Sequence, residues 1–208
     1  MSTNKKHQFV KTKKSVPDKV LEIAANWILD YEKQIIEIGC SNGNFTTLLE
    51  KRNVSNYIGI DMNKQKIIEA KILYPHFRFM CTDITQNVHL LRKANLVVSF
   101  YTLEYIKDDF SVLNNIPPNC KIIFSVPNSP YKAKIRYFEL EGWKERFQKF
   151  INISKIITVT NPRKPDKRTF LFKGVRNEHI DKKTIYVPEH YRFDNMMERV
   201  KGNIGGGE

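Results

Sequence analysis

Ile35-Ile-Glu-Ile-Gly-Cys-Ser-Asn-Gly-Asn-Phe45 decides how the rest of the chain is read. A short apolar run ends in small residues and opens into a helical pattern over Asn44 to Arg52. Taken literally, Gly39 to Gly43 is G-x-S-x-G, the pattern of a hydrolase nucleophile elbow. An elbow needs a later acid, a later histidine and an oxyanion donor from an earlier strand. Ser41 follows the first strand of the predicted sheet, so nothing precedes it to donate. His7, His76, His89, His179 and His190 sit in no triad context. The alternative is a strand–turn–helix crevice in which Ser41 is only small, leaving room for a cofactor. Gly39 then provides the sharp turn, and Gly43 permits close helix packing or a bound ligand.

Strand and helix patterns alternate on either side of this stretch. Ser15-Val16-Pro17-Asp18 opens a helix, with Val20, Ile23, Ala24, Trp27 and Ile28 at helical spacing. Gln34 to Ile38, Tyr57 to Ile60, Phe77 to Cys81, Leu96 to Phe100 and Lys121 to Val126 read as strands. Lys64 to Leu73 reads as a helix, and Leu103 to Leu113 as helical in part. Such alternation implies parallel pairing through right-handed crossovers. The strands are apolar nearly throughout, as in a sheet covered on both faces. Ile153 to Thr160 and Arg168 to Val175 follow each other around the turn at 161–166 without a helix, which predicts an antiparallel hairpin. The expected fold is a doubly wound, Rossmann-like α/β sheet of seven strands, mostly parallel, closed by that hairpin. It predicts a basic arm over 1–17, one domain over 18–176, and an extension ending in a mobile Gly-rich tail over 177–208.

Composition narrows the function classes. The chain has 208 residues, 41% hydrophobic and 27% charged, which is ordinary for a globular domain. No apolar run approaches the roughly 18 residues of a membrane span, and the lysine-rich N-terminus lacks the apolar segment of a secretory signal. Cys40, Cys81 and Cys120 are odd in number and lie far apart, so they read as buried thiols in a reducing, cytoplasmic setting. The net charge of +13 is uneven. Residues 1–20 hold six lysines against one aspartate, and residues 131–176 hold thirteen basic side chains against four acidic. A localised excess of this kind suits an anionic partner, nucleotide or nucleic acid, as well as a plain solvated surface.

Three carboxylates stand at the ends of three consecutive predicted strands: Glu37, Asp61 and Asp83. Glu37 suits an ammonium or sulfonium charge, Asp61 a pair of ribose hydroxyls, and Asp83 an adenine amino group. With the glycines around them, they resemble the class I S-adenosylmethionine (SAM) dependent methyltransferases. Glu37-Ile-Gly39-Cys-Ser41-Asn-Gly43 is similar to the first motif of that family, E/D-x-G-x-G-x-G, with Ser41 in place of the middle glycine. Tyr57-Ile-Gly-Ile-Asp61, Cys81-Thr-Asp83-Ile84 and Leu96-Val-Val-Ser-Phe100 resemble the next three. The resemblance spans residues 18 to 175. It implies that Glu37, Gly39, Ser41 and Gly43 surround the methionine part of the cofactor. Asp61 and Met62 would hold the ribose, Asp83 and Ile84 the adenine, with Phe100 beside them.

The acceptor is read from the segments that follow. Ubiquinone-biosynthesis-type small-molecule O-methyltransferases and RNA 3′-end methyltransferases carry Glu-x-x-Glu-His after the fourth strand. The matching positions here are Tyr101, Glu104 and Tyr105, so two of three metal-ligand types are phenols and no metal is expected. Glu104 is the candidate base, with Tyr101 and Tyr105 beside the methyl; bracing the next helix is its other reading. Ser125-Val-Pro-Asn128 followed by Ile135-Arg136-Tyr-Phe138 resembles a subgroup that includes glycan methyltransferases of large DNA viruses. That makes Asn128, Lys134 and Arg136 candidate substrate contacts, although Lys134 replaces a histidine of the pattern. The expected activity is metal-independent methyl transfer to a small-molecule hydroxyl, a sugar before others. RNA or nucleotide methylation and a SAM-binding regulator without turnover are the alternatives.

Overall fold

The computed structural model describes residues 7–11, 15–28, 34–128 and 137–178. Eight strands form one sheet: β1 (His7–Lys11), β2 (Ile35–Ile38), β3 (Tyr57–Asp61), β4 (Arg78–Cys81), β5 (Leu96–Phe100), β6 (Lys121–Pro127), β7 (Ile151–Asn161) and β8 (Lys164–Arg176). Their order is β1-β7-β8-β6-β5-β2-β3-β4. All pairings are parallel except those of β8, which is antiparallel to both β6 and β7. Among the described residues five α-helices join them, α1 (Val16–Ala25), α2 (Thr46–Glu50), α3 (Lys64–Leu73), α4 (Asp109–Asn114) and α5 (Leu140–Gln148), with a 3-10 helix at Val88–Lys93.

The apolar runs are continuous because neighbouring residues of one strand enter different cores. Ile36, Val97, Ile122, Phe124 and Phe172 pack with Trp143, Phe147 and Phe150 on one face. Ile35, Leu96, Val98, Ile123 and Leu171 pack with Val20, Ala24, Phe45 and Leu49 on the other. Helix starts follow local chemistry. The Ser15 hydroxyl accepts the Asp18 N–H, the Asn63 amide oxygen that of Lys66, and the Asp108 carboxylate that of Ser111.

Four expectations change. The sheet has an eighth strand, because His7 to Lys11 of the basic arm pairs with Ile156 to Thr160 on β7. A strand therefore does precede Ser41, but it lies at the opposite edge from β3 and β4 and is separated from β2 by four strands. Helix α5 is an addition to the elements read from the sequence, and it contains Gly142. In the fold this glycine makes room for Phe138, whose Cβ would lie 2.9 Å from an added methyl. The hairpin strands are longer than expected, leaving only Pro162 and Arg163 between them. Cys40 and Cys120 are buried, but Cys81 is exposed at the end of edge strand β4, where no further strand covers it. The candidate substrate residues Lys134 and Arg136 and the C-terminal tail lie outside the described residues.

Candidate functional site

The carboxyl ends of β2, β3, β4 and β5 open onto one cleft of about 710 Å³. The loop after β2 forms its floor through Gly39 and Ser41. Gly39 turns the chain at φ 76°, and the N–H groups of Gly39 and Cys40 both donate to the Ile60 carbonyl, at 2.7 and 3.1 Å. Ser41 has φ 51°, a left-handed conformation that glycine adopts without cost. That is the physical reason a glycine suits this position, and why serine is a tolerable but strained replacement.

Asp61 ties this loop to the next one. Its Oδ2 accepts the Ser41 N–H at 2.9 Å and its Oδ1 the Asn63 N–H at 2.8 Å. A carboxylate offers about four lone-pair sites, so both oxygens keep capacity for a ligand hydroxyl. One strand further, Asp83 accepts the Thr85 N–H and hydroxyl, both at 2.8 Å and both on Oδ1. Ile60, Ile84, Phe100 and Ile106 give the cleft apolar walls around these acids. Acceptor-only oxygens at the ends of two adjacent strands, with apolar surface between, suit a nucleoside with ribose hydroxyls and an exocyclic amine.

The structure sorts the residues singled out from sequence. Gly39, Ser41, Asp61, Met62, Asp83, Ile84, Phe100, Tyr101 and Tyr105 all line the cleft. Gly43 does not. A methyl there would approach Tyr74 and Phe79 at 3.0–3.2 Å, so its role is close packing. Glu104 is 1% exposed and is not among the lining residues. Asn128 is buried at the end of β6, where its side chain holds the start of β8. Asn63, Lys66, Thr82 and Thr102 also line the cleft, though no sequence signal singles them out. Only the folded loops bring them to the strand ends.

Glu37 is 3% exposed and lies below the cleft rather than on its wall. The Tyr57 hydroxyl donates to its Oε2 at 2.5 Å. Burial pushes the Glu37 carboxyl up to about 8; the Tyr57 bond works against that and the Asp61 charge adds to it. The Tyr57 phenol and the Cys40 thiol are pushed up too, chiefly by burial and then by Glu37. A carboxyl that ionises near 4.5 when exposed and near 8 when folded stabilises the native state fully below the lower value. Its contribution then falls by about 1.4 kcal/mol per pH unit until the folded carboxyl ionises. Glu37→Gln is therefore expected to flatten the decline in stability between pH 5 and 8. Urea denaturation of both ligand-free proteins across that range checks it; parallel declines would show that Glu37 is already ionised in the native state.

Residues 7–158 match the family model described as "Methyltransferase domain". The chain belongs to that family. Apart from the edge strand β1, its mostly parallel sheet and closing hairpin match a class I SAM-dependent methyltransferase, and SAM is the cofactor of the family. A putative methyltransferase, 235L, of Invertebrate iridescent virus 6 is 35% identical, over 50% of this chain and 37% of its own length. The juvenile hormone acid O-methyltransferase of Bombyx mori is 23% identical over 78% of this chain and 62% of its own. The chain thus spans less than two thirds of each of these relatives, 37% of the first and 62% of the second. Among solved structures, N-methyltransferase NodS from Bradyrhizobium japonicum, in complex with S-adenosyl-L-homocysteine (SAH), is similar with a TM-score of 0.61 at 18% identity, covering 78% of this chain and 86% of that one. Magnesium protoporphyrin IX methyltransferase from Synechocystis PCC 6803, with bound SAM, has a TM-score of 0.57 at 16% identity, covering 78% of each chain. At such identities the likeness is one of fold.

Proposed function

We propose that the protein transfers the methyl group of SAM to an oxygen of a small-molecule acceptor. The observation that carries this reading is the pair Asp61 and Asp83, set at the ends of adjacent strands on the wall of one cleft. Asp61 would hold the ribose and Asp83 the adenine amine, with the strained Gly39–Ser41 turn against the methionine part. Bound SAM supplies an activated methyl group on a sulfonium. The chain's own contribution is to orient the acceptor oxygen in line with that methyl and to exclude water. Two relatives whose names state an acid-directed activity, trans-aconitate 2-methyltransferase of Enterobacter sp. and the Bombyx mori enzyme, support an oxygen acceptor. A sugar hydroxyl is the acceptor that the Ser125–Phe138 pattern favours. A hydroxyl needs a base within hydrogen-bond reach; Tyr101 and Tyr105 line the cleft, and Glu104, buried and off its wall, would serve only if the loop that carries it shifts on binding.

Asp61→Asn is expected to weaken SAH binding about tenfold or more, because bonds to a charged acceptor are worth about 1.5–3 kcal/mol each. Calorimetric titration of SAH reads this directly, with a thermal melt of the ligand-free variant showing whether the Ser41 and Asn63 straps survive. Unchanged affinity in a folded variant would remove Asp61 from the cofactor site.

A further inference from the structure

A second, smaller cavity of about 180 Å³ lies beside the cofactor cleft, and Tyr101 lines both. Pro127 at the end of β6, Thr169 paired with it on β8, and the first turn of α1 form its walls. It therefore continues the carboxyl edge of the sheet past β5, on the side away from Asp61 and Asp83. Among the described residues its lining has three cations, Lys164, Lys167 and Arg168, and no carboxylate.

From this we infer that the cavity is an acceptor subsite that holds an anionic group, a carboxylate or a phosphate monoester, on the molecule to be methylated. The inference rests on the cofactor reading of the neighbouring cleft, since it is the shared Tyr101 wall that makes the cavity part of a reaction site. Three features carry it. The first is charge at the rim of a concavity, where Lys164 and Lys167 are exposed and Arg168 is half-buried. Solvated lysines scattered on a convex face attract any polyanion, whereas cations around a pocket attract one group small enough to enter it. At about 180 Å³ the cavity has room for a head group such as a carboxylate or a phosphate monoester.

The second feature is that the backbone carrying Arg168 is held in place from below. Asn128 brackets the β8 backbone: its N–H donates to the Arg168 carbonyl at 3.0 Å, its Oδ1 accepts the Arg168 N–H at 2.7 Å, and its Nδ2 donates to the Asp166 carbonyl at 2.9 Å. Asn128 is thus a positioning residue for the basic rim. Glu139 reaches Arg168 at 3.9 Å across a solvent-exposed pair and Asp166 is exposed; neither lines the cavity.

The third feature is Tyr101. It has φ 54°, which a large side chain rarely adopts, and its hydroxyl donates to Thr169 Oγ1 at 3.1 Å. That bond holds the ring between the two cavities. An acceptor anchored through its anion in the basic pocket would then pass Tyr101 to present an oxygen to the methyl group.

The test is calorimetric titration of the full chain, with and without SAH, at fixed ionic strength. The probes are inorganic phosphate, citrate, glucose 6-phosphate, glucose and a single-stranded RNA oligonucleotide. Saturable binding of at least one small anion, with none of glucose, is expected. The paired substitution K167S/R168S should weaken that binding about tenfold or more while SAH affinity and thermal stability stay at their starting values. Failure of SAH to bind counts against the cofactor reading, and the anion titrations without SAH still read the pocket. Equal binding of glucose and glucose 6-phosphate, no saturable binding of any small anion, or anion binding unaffected by K167S/R168S would overturn the inference. RNA binding in the absence of small-anion binding would overturn it too, and mark the hairpin as a polyanion surface.

Discussion

Asp109→Ala is expected to destabilise the protein by about 3–5 kcal/mol, because it strands a buried guanidinium. Asp109 is fully buried in the first turn of α4, and Arg146 on α5 is 4% exposed. Arg146 Nε donates to Oδ2 at 2.9 Å and Nη2 to Oδ1, a two-pronged pairing across 37 positions of sequence. The guanidinium also lies 4.0 Å from the centre of the Phe110 ring. Once desolvated, the arginine has no water to replace the carboxylate, so removing one partner costs far more than the pair is worth. Removing both should not. Asp109→Leu with Arg146→Met is expected to recover most of the loss, since a well-packed apolar pair often equals a buried ion pair. Urea denaturation of the single and double variants decides it. A single-variant loss below about 1 kcal/mol would mean that water reaches Arg146.

Gly39→Ala is expected to remove most cofactor binding as well as destabilise the fold. The residue sits at φ 76°, and an added Cβ would lie 2.0 Å from Thr102 Oγ1 and 2.4 Å from its Cγ2. The left-handed backbone costs about 1–2 kcal/mol for alanine, and overpacking costs about 1–3 kcal/mol more. Relief requires the β2–α2 loop and Thr102 to separate, and both are walls of the cleft. At about 1.4 kcal/mol per factor of ten, a comparable loss in site geometry weakens SAH binding by tenfold to over a hundredfold. Thr102→Ala in the same protein removes the two nearest atoms but leaves Cβ at 2.6 Å and the backbone strain untouched. It should restore part of the stability and little of the binding. Melting curves and SAH titration separate the two; full affinity in Gly39→Ala would show that Thr102 yields without disturbing the site.

These two sites show which parts of the molecule were legible beforehand. The glycine turn, the acids at strand ends and the alternation of strands with helices are local patterns. Each is enforced by backbone geometry or by the end of an apolar run, so residue order alone exposes it. Asp61, the last residue of β3, and Asp83, two residues past the end of β4, stand on one cleft wall because parallel strands all open at the same edge of the sheet. Nothing local tells Glu37 from them. It is one residue short of the strand's last position, and the pleat turns it into the core toward Tyr57 instead of outward. Gly43 is likewise decided by what packs on it.

Residue order alone therefore determined the parallel α/β sheet, its closing hairpin and the crevice at the carboxyl ends of the strands. Only the tertiary structure decided that His7 to Lys11 closes the sheet edge, that Asp109 meets Arg146, and that the cations of β8 surround a pocket beside Tyr101. The reason is the range of the forces involved. Turns, caps and hydrophobic period act between neighbours a few residues apart. A strand edge, a buried charge or a pocket wall instead joins segments 37 to 151 positions distant, which share no pattern until packing brings them together.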